Sequence, residues 1–197
     1  MRSGSAPTWF WRREKPEWAC GAPGVPARPP TAMPLDGRDA RRSIGDRKTV
    51  KIKVAWIGKT KEPAIQALTD EYLKRISRYA EVAGLALKDE AAILAMAAGE
   101  RQQNKGRHKL VLLDSRGKQF SSEELAEFLQ REQVNATPLL FAIGGSDGFS
   151  EEARRHAGLT LSLGKMTLPH ELARVVLVEQ LYRAFTILAN HPYHLGH

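Results

Sequence analysis

Three segments of the chain combine residue types that can do chemistry. The first is Gly144-Gly145-Ser146-Asp147-Gly148, which follows an apolar run and precedes a helical pattern. Glycines in such a turn let the backbone approach a ligand and present free N–H groups. Taken alone, the loop reads equally well as a tight strand–helix turn with no ligand. It is not a dinucleotide fingerprint, because the G-x-G-x-x-G spacing is missing, and no Gly-Lys-Ser/Thr follows to make a phosphate loop. The second segment is Ser162-Leu163-Gly164-Lys165-Met166-Thr167-Leu168-Pro169-His170. Here a strand enters a loop that leads straight into a proline-started helix. Backbone groups of the two glycine loops could surround an adenine or a ribose, with Leu113, Leu163, Met166 and Leu168 as apolar walls. For any one of these four, an ordinary core role is the commoner one. The third segment is Asn190-His191-Pro192-Tyr193-His194. Terminal segments are normally polar and frayed; this one offers an aromatic ring for stacking on a base and imidazoles for proton handling. Lone histidines are nevertheless surface residues more often than catalysts.

These segments need elements to hold them. Residues 50–57 (VKIKVAWI) read as a strand ended by Gly58, and Pro63 opens a helix over 63–78 with a helical apolar period. A second strand is expected at 82–87, then a helix over 90–103 capped by Asp89. The apolar run 109–113 (KLVLL) reads as a buried strand, followed by a turn at 115–118. Ser121, Ser122 and Glu124 form a capping pattern for a helix over 122–132. A strand at 138–143, a helix after Ser150 to about 157, a short strand at 159–163 and a long helix from Pro169 to 189 complete the pattern. Alternating strands and helices imply an α/β fold, a mostly parallel sheet with helices on both faces. Ligands bind such sheets beyond the carboxyl ends of the strands, where the loops after Leu113, Ile143 and Leu163 fall.

Composition divides the chain. Residues 1–48 hold seven of the eleven prolines, three of the four tryptophans and the only cysteine. They read as a disordered Pro/Arg-rich N-terminal extension or an over-long start, leaving 49–197 as the folded domain. The net charge of +8 divides too: 1–48 carry 10 Lys/Arg against 5 Asp/Glu, and the remainder 20 against 17. A basic total fits a nucleic-acid partner, but the body is only mildly basic, and charge this small is commonly just a solvated surface. The body's lack of cysteine removes disulfides, Cys-based zinc sites and a Cys nucleophile. No stretch has the length of a membrane span or a signal h-region, so a cytoplasmic location is the default.

Taken in order, the motifs L-D-x-x-G-K (Leu113, Asp114, Gly117, Lys118), I-G-G-S-D-G (143–148), S-L-x-x-M-T-L-P-H (162–170), L-Y-R-A (181–184) and N-H-P-Y-H (190–194) resemble the RlmH family. The opening V-x-W-I-G-K-T-K (54–61) and the element E-Y-L-K-R (71–75) match it as well. The resemblance covers roughly 50–194. It implies a SPOUT-class enzyme that uses S-adenosyl-L-methionine, without a metal, to methylate N3 of a pseudouridine in 23S rRNA of the large ribosomal subunit. It implies a deep C-terminal trefoil knot, a feature no pattern argument yields, and a homodimer with the long helix at its interface. That helix is apolar around much of its circumference (Leu172, Val175, Val176, Leu177, Val178, Leu181, Phe185), which suits burial against both core and partner.

Carried over by position, the cofactor pocket would comprise Leu113, Gly144, Leu163, Gly164, Lys165, Met166, Thr167 and Leu168. Candidate catalytic residues are His194 and His170 as proton handlers, Arg183 as charge or RNA partner, and Tyr193 as a stacking platform. The chain departs from the family in having Ser-Asp for Pro-Glu in the glycine loop, a shorter segment between Tyr72 and Asp114 without its basic loop, and Leu195 after His194. Good activity on assembled ribosomes and poor activity on short naked RNA are expected. Competing readings are a knotted methyltransferase for another RNA site, a non-catalytic RNA-binding factor, and a nucleotide-dependent enzyme on an ordinary doubly wound sheet.

Overall fold

A computed structural model describes residues 50–99 and 107–194; the extension read into 1–48 lies outside the described residues. Among the described residues, five strands form one sheet: β1 (Lys51–Ile57), β2 (Glu81–Leu87), β3 (Lys109–Gln119), β4 (Leu139–Ile143) and β5 (Leu159–Ser162). Their order is β2-β1-β4-β3-β5 and every pairing is parallel. Five described helices connect and flank them: α1 (Pro63–Ile76), α2 (Glu90–Ala98), α3 (Ser122–Val134), α4 (Glu151–His156) and α5 (His170–Leu188). A 3-10 turn, Pro192–His194, follows.

The strands are apolar on both faces because helices cover both, as a parallel sheet requires. Central β4 is buried at all five positions. Its Leu139, Phe141 and Ile143 pack with Val54, Trp56 and Val111 against Ile76 of α1, Leu125 and Leu129 of α3, and Leu177, Val178, Leu181 and Phe185 of α5. The alternate residues Leu140 and Ala142 pack with Ala55, Leu110 and Leu112 against Ile93 of α2 and Ala153 of α4. The period of two in each strand thus sorts α1, α3 and α5 to one face and α2 and α4 to the other.

Arg174 of α5 is buried within the first layer, 1% exposed. Its guanidinium lies 4.2 Å from the Trp56 ring centroid, and Nε donates to Thr69 Oγ1 at 3.2 Å, joining α5 to β1 and α1. No described helix is long and apolar enough to cross a membrane.

Most expected elements appear within a residue or two. Ser121 accepts from the Glu124 amide while Glu124 returns a bond to the Ser121 amide, the reciprocal capping box read at that position. Two elements differ. Helix α2 stops at Ala98 rather than running to 103, because Gly99 adopts φ 84°, a left-handed stop; residues 100–103 are not described. The turn expected at 115–118 is instead an excursion within β3. Leu113 and Lys118 both stand opposite Leu161 of β5, so residues 114–117 loop out and the strand then resumes to Gln119.

Candidate active site

That excursion forms one wall of a cavity of about 360 Å³ at the carboxyl ends of β3, β4 and β5. Two contacts shape it. Gly117 sits so close to β5 that a Cβ there would lie 2.6 Å from the Leu161 carbonyl carbon and 2.7 Å from that of Thr160, so only glycine fits. Asp114, with a side chain 8% exposed, accepts from Nε and Nη2 of Arg154 on α4 at 2.9 and 2.7 Å, and from the Arg116 amide at 3.0 Å. Burial pushes the Asp114 carboxyl up, but the Arg116 amide and the Arg154 guanidinium together hold it below the ordinary aspartate range. Arg116 reaches out at the mouth, 3.3 Å from Glu151.

The second wall is the glycine loop after β4. The Gly148 amide donates to the Gly145 carbonyl at 3.2 Å, and Gly148 takes φ 72°. Gly145, Ser146, Asp147 and Gly148 line the cavity. Gly144 stands behind them, buried, where a Cβ would come within 3.1 Å of Gly148 carbonyl atoms. The third wall follows β5. The Ser162 hydroxyl donates to the Gly164 carbonyl at 2.9 Å and accepts from its amide at 3.3 Å, closing a local turn.

Six of the eight residues read as cofactor-binding line this one cavity: Leu113, Leu163, Gly164, Met166, Thr167 and Leu168. Gly144 and Lys165 do not. Asp114, Arg116, Arg154, Ser146 and Asp147 line it without having been assigned there from sequence, and Ala173 brings in the first turns of α5. Asp114 stands in the L-D-x-x-G-K motif, so a signal existed for it. Nothing in the spacing of Arg154, forty positions on, points to the contact. A second cavity of about 210 Å³ shares the Leu161–Gly164 wall and reaches Val176, Leu177 and Gln180 of α5.

The residues read as catalytic lie elsewhere. Arg183 donates from Nε and Nη2 to Glu179 Oε1 at 3.0 and 2.8 Å, an i,i+4 pair. The Tyr193 hydroxyl donates to the same oxygen at 3.2 Å, and the guanidinium carbon lies 5.0 Å from the Tyr193 ring centroid. Tyr182 meets that ring edge-on at 4.8 Å. Burial opposes the Arg183 charge, but Glu179 outweighs it and Arg183 stays protonated. Burial, with hydrogen bonds involving Tyr72 and Glu179, pushes the Tyr193 hydroxyl up to about 12. Arg183 occupies part of the ring surface read as a stacking platform. His194 belongs to the 3-10 turn, and its side chain is outside the described residues. His170 opens α5, exposed, and does not line the cavity.

Cavity and cluster are not in contact within one chain. Ala173 borders the cavity, Arg183 is ten residues further along α5, and a rise of 1.5 Å per residue separates them by about 15 Å. The outward stripe of α5 near the cavity is apolar, with Leu172 46% and Val176 37% exposed.

Residues 50–194 match the family model described as "Predicted SPOUT methyltransferase". The ribosomal RNA large subunit methyltransferase H of Koribacter versatilis is 56% identical over 150 residues, which cover 75% of this chain and all of that protein. Proteins of the same name from Geobacter sulfurreducens and Deinococcus radiodurans are 42% and 43% identical, over 74% and 75% of this chain and 99% and 100% of their own length. The region matched is the one that builds both the cavity and the Arg183–Tyr193 cluster, and on that ground the chain belongs to the RlmH family of SPOUT methyltransferases.

Proposed function

We propose that the protein transfers a methyl group from S-adenosyl-L-methionine to N3 of a pseudouridine in large-subunit 23S rRNA, as a homodimer acting on the assembled particle in the cytoplasm. The observation that carries this reading is the cavity at three adjoining strand ends. Its volume falls in the range of small-molecule sites, roughly 300–1,000 Å³. Its lining suits a cofactor that is part nucleoside and part zwitterion: Leu113, Leu161, Leu163 and Leu168 offer apolar surface, Asp147 carries negative charge, and Arg116 at the mouth carries positive charge. Bound there, the cofactor supplies an electrophilic methyl on a sulfonium.

What remains falls to the chain's own residues. The uracil N3–H is a weak acid and must lose its proton to become a nucleophile. Arg183, held charged by Glu179, stabilises the anion that develops. The imidazoles of His194 and His170 are the candidate acceptors of the N3 proton. Tyr193 keeps its proton near neutral pH and orients the Arg183 guanidinium through Glu179. In-line transfer makes positioning the main source of rate, and the gap of about 15 Å along α5 gives the homodimer its purpose. Pairing through α5 brings one chain's Arg183–Tyr193 cluster to the other chain's cavity, and it covers Leu172 and Val176.

The knot and the division into an extension 1–48 and a domain 49–197 belong to the same reading; the family match begins at residue 50, which supports that boundary. The test is a comparison of rRNA from a deletion strain with rRNA from the strain carrying the gene, mapped by mass spectrometry. A missing methyl on one large-subunit pseudouridine, restored by the gene, is the expected result. Identical modification in both strains refutes the assignment.

A further inference from the structure

The element Glu71-Tyr72-Leu73-Lys74-Arg75 takes no part in the cavity, yet its side chains run into the Arg183–Tyr193 cluster. It forms the last turns of α1. The Arg75 guanidinium carbon lies 5.4 Å from the Tyr72 ring centroid and 5.8 Å from that of Tyr182, the ring that meets Tyr193 edge-on. Glu71 holds Arg75 in place, accepting from Nε at 2.8 Å. Lys74 and Arg78 beside it are exposed, and neither is in an ion pair among the described residues. The acidic groups beside Lys74, Arg75, Arg78 and Arg183 are Asp70, one turn before Lys74 on α1, Glu71 and Glu179, which leaves a small local positive excess on a body that is nearly balanced overall.

Cations in a helix's last turn are often there for the macrodipole alone. That account covers Lys74 and Arg75. It does not cover Arg78, which lies beyond the Ser77 C-cap, nor the continuity of the basic surface with Tyr182, Tyr193 and Arg183.

We propose that Lys74, Arg75 and Arg78 form the surface that grips rRNA backbone phosphates flanking the target nucleotide. This rests on the methyltransferase reading and names the contact that reading leaves open. Lys74 acts as an exposed point charge and Arg78 as an exposed guanidinium. Arg75, fixed by Glu71 and two rings, is the pre-oriented fork. Each phosphate neutralised releases counterions, so binding weakens as salt rises.

The experiment measures binding of the full-length protein to large ribosomal subunits across a salt series, for wild type, for Lys74→Gln/Arg78→Gln, and for the charge-matched control Arg131→Gln/Arg155→Gln on exposed positions of α3 and α4. Losing two phosphate contacts should make the plot of log binding constant against log salt shallower by about 1.5, from 0.7–0.9 per contact. The control should leave the slope as in wild type. Calorimetry with S-adenosyl-L-methionine should give the same affinity for all three proteins. Parallel lines for wild type and the α1 variant overturn the proposal, and so does an equal loss of slope in the control. Binding reads this surface whether or not a methyl is transferred. A wild type that binds with the full slope but methylates nothing counts against the enzymatic reading, not against the surface.

Discussion

Arg154 gives two of its N–H groups to a single oxygen of Asp114, at 2.9 and 2.7 Å, and this ties α4 to the β3 excursion that walls the cavity. The other oxygen accepts from the Arg116 amide. With both oxygens engaged, the carboxylate acts by holding the wall and not by reaching for a ligand.

Asp114→Asn or Arg154→Met should therefore weaken S-adenosyl-L-methionine binding by roughly tenfold to a hundredfold, the scale of a misplaced binding group. Titration calorimetry measures it. Arg154→Lys should recover part of the loss, because it restores the charge without the fork. Unchanged affinity in Asp114→Asn would mean the pair serves the fold alone.

The same carboxyl predicts a pH dependence. Its folded pKa is depressed, so its contribution to stability is present above the unfolded value near 4 and is lost as pH falls through the folded one. Urea midpoints of wild type and Asp114→Asn, measured from pH 6 downward, should differ most at the upper end. The two should converge below about pH 4. A constant gap would contradict the depressed pKa.

Gly117→Ala places a methyl within 2.7 Å of the Thr160 and Leu161 backbone, where no flexible side chain can yield. Overpacking of this kind costs about 1–3 kcal/mol. Equilibrium denaturation should show that loss, and cofactor affinity should fall with it, since the displaced segment is the cavity wall. Ala in place of Gly145, whose nearest neighbour to a built Cβ is 4.0 Å away, should be tolerated for stability.

Ending the chain after Asn190 removes Tyr193 and His194. Methyl transfer should disappear, while calorimetric binding of the cofactor should stay largely intact. Tyr193→Phe separates ring from hydroxyl: with a pKa near 12, Tyr193 is no base at neutral pH. That variant should keep the wild-type pH–rate profile between about 6 and 9, well below a tyrosine's range. Full activity in the truncated chain would remove the tail from the mechanism.

The strands are legible as apolar or alternating runs bounded by turn residues; which face each residue of the uniformly apolar β4 takes is settled only by the packing. The resumption of β3 after Leu113 is not legible. Asp114-Ser115-Arg116-Gly117 has turn composition, and what restores the strand is pairing of Lys118 and Gln119 with β5, a contact some forty residues away. Helix α2 was read too long for the opposite reason: an alanine-rich run suggests continuation, while Gly99 supplies the stop. The cavity was legible as loops at strand ends. Gly144 enters the pocket by the family resemblance; it stands behind the lining residues, and its own close approach is to Gly148 of the same loop. Glu179, which organises Arg183 and Tyr193, was within reach of i,i+4 reasoning.

Helix α5 works as a ruler. It sets the cavity and the Arg183–Tyr193 cluster apart by a fixed number of turns, so under the proposed function a lone subunit would load the methyl donor with nothing beside it to modify. In the proposed two-fold pair, each reaction centre would draw one half from either subunit. A chain damaged in the cavity and a chain damaged in the tail, expressed together, should then rescue one another, leaving one intact centre in every mixed pair. Two chains damaged at the same end have no such remedy.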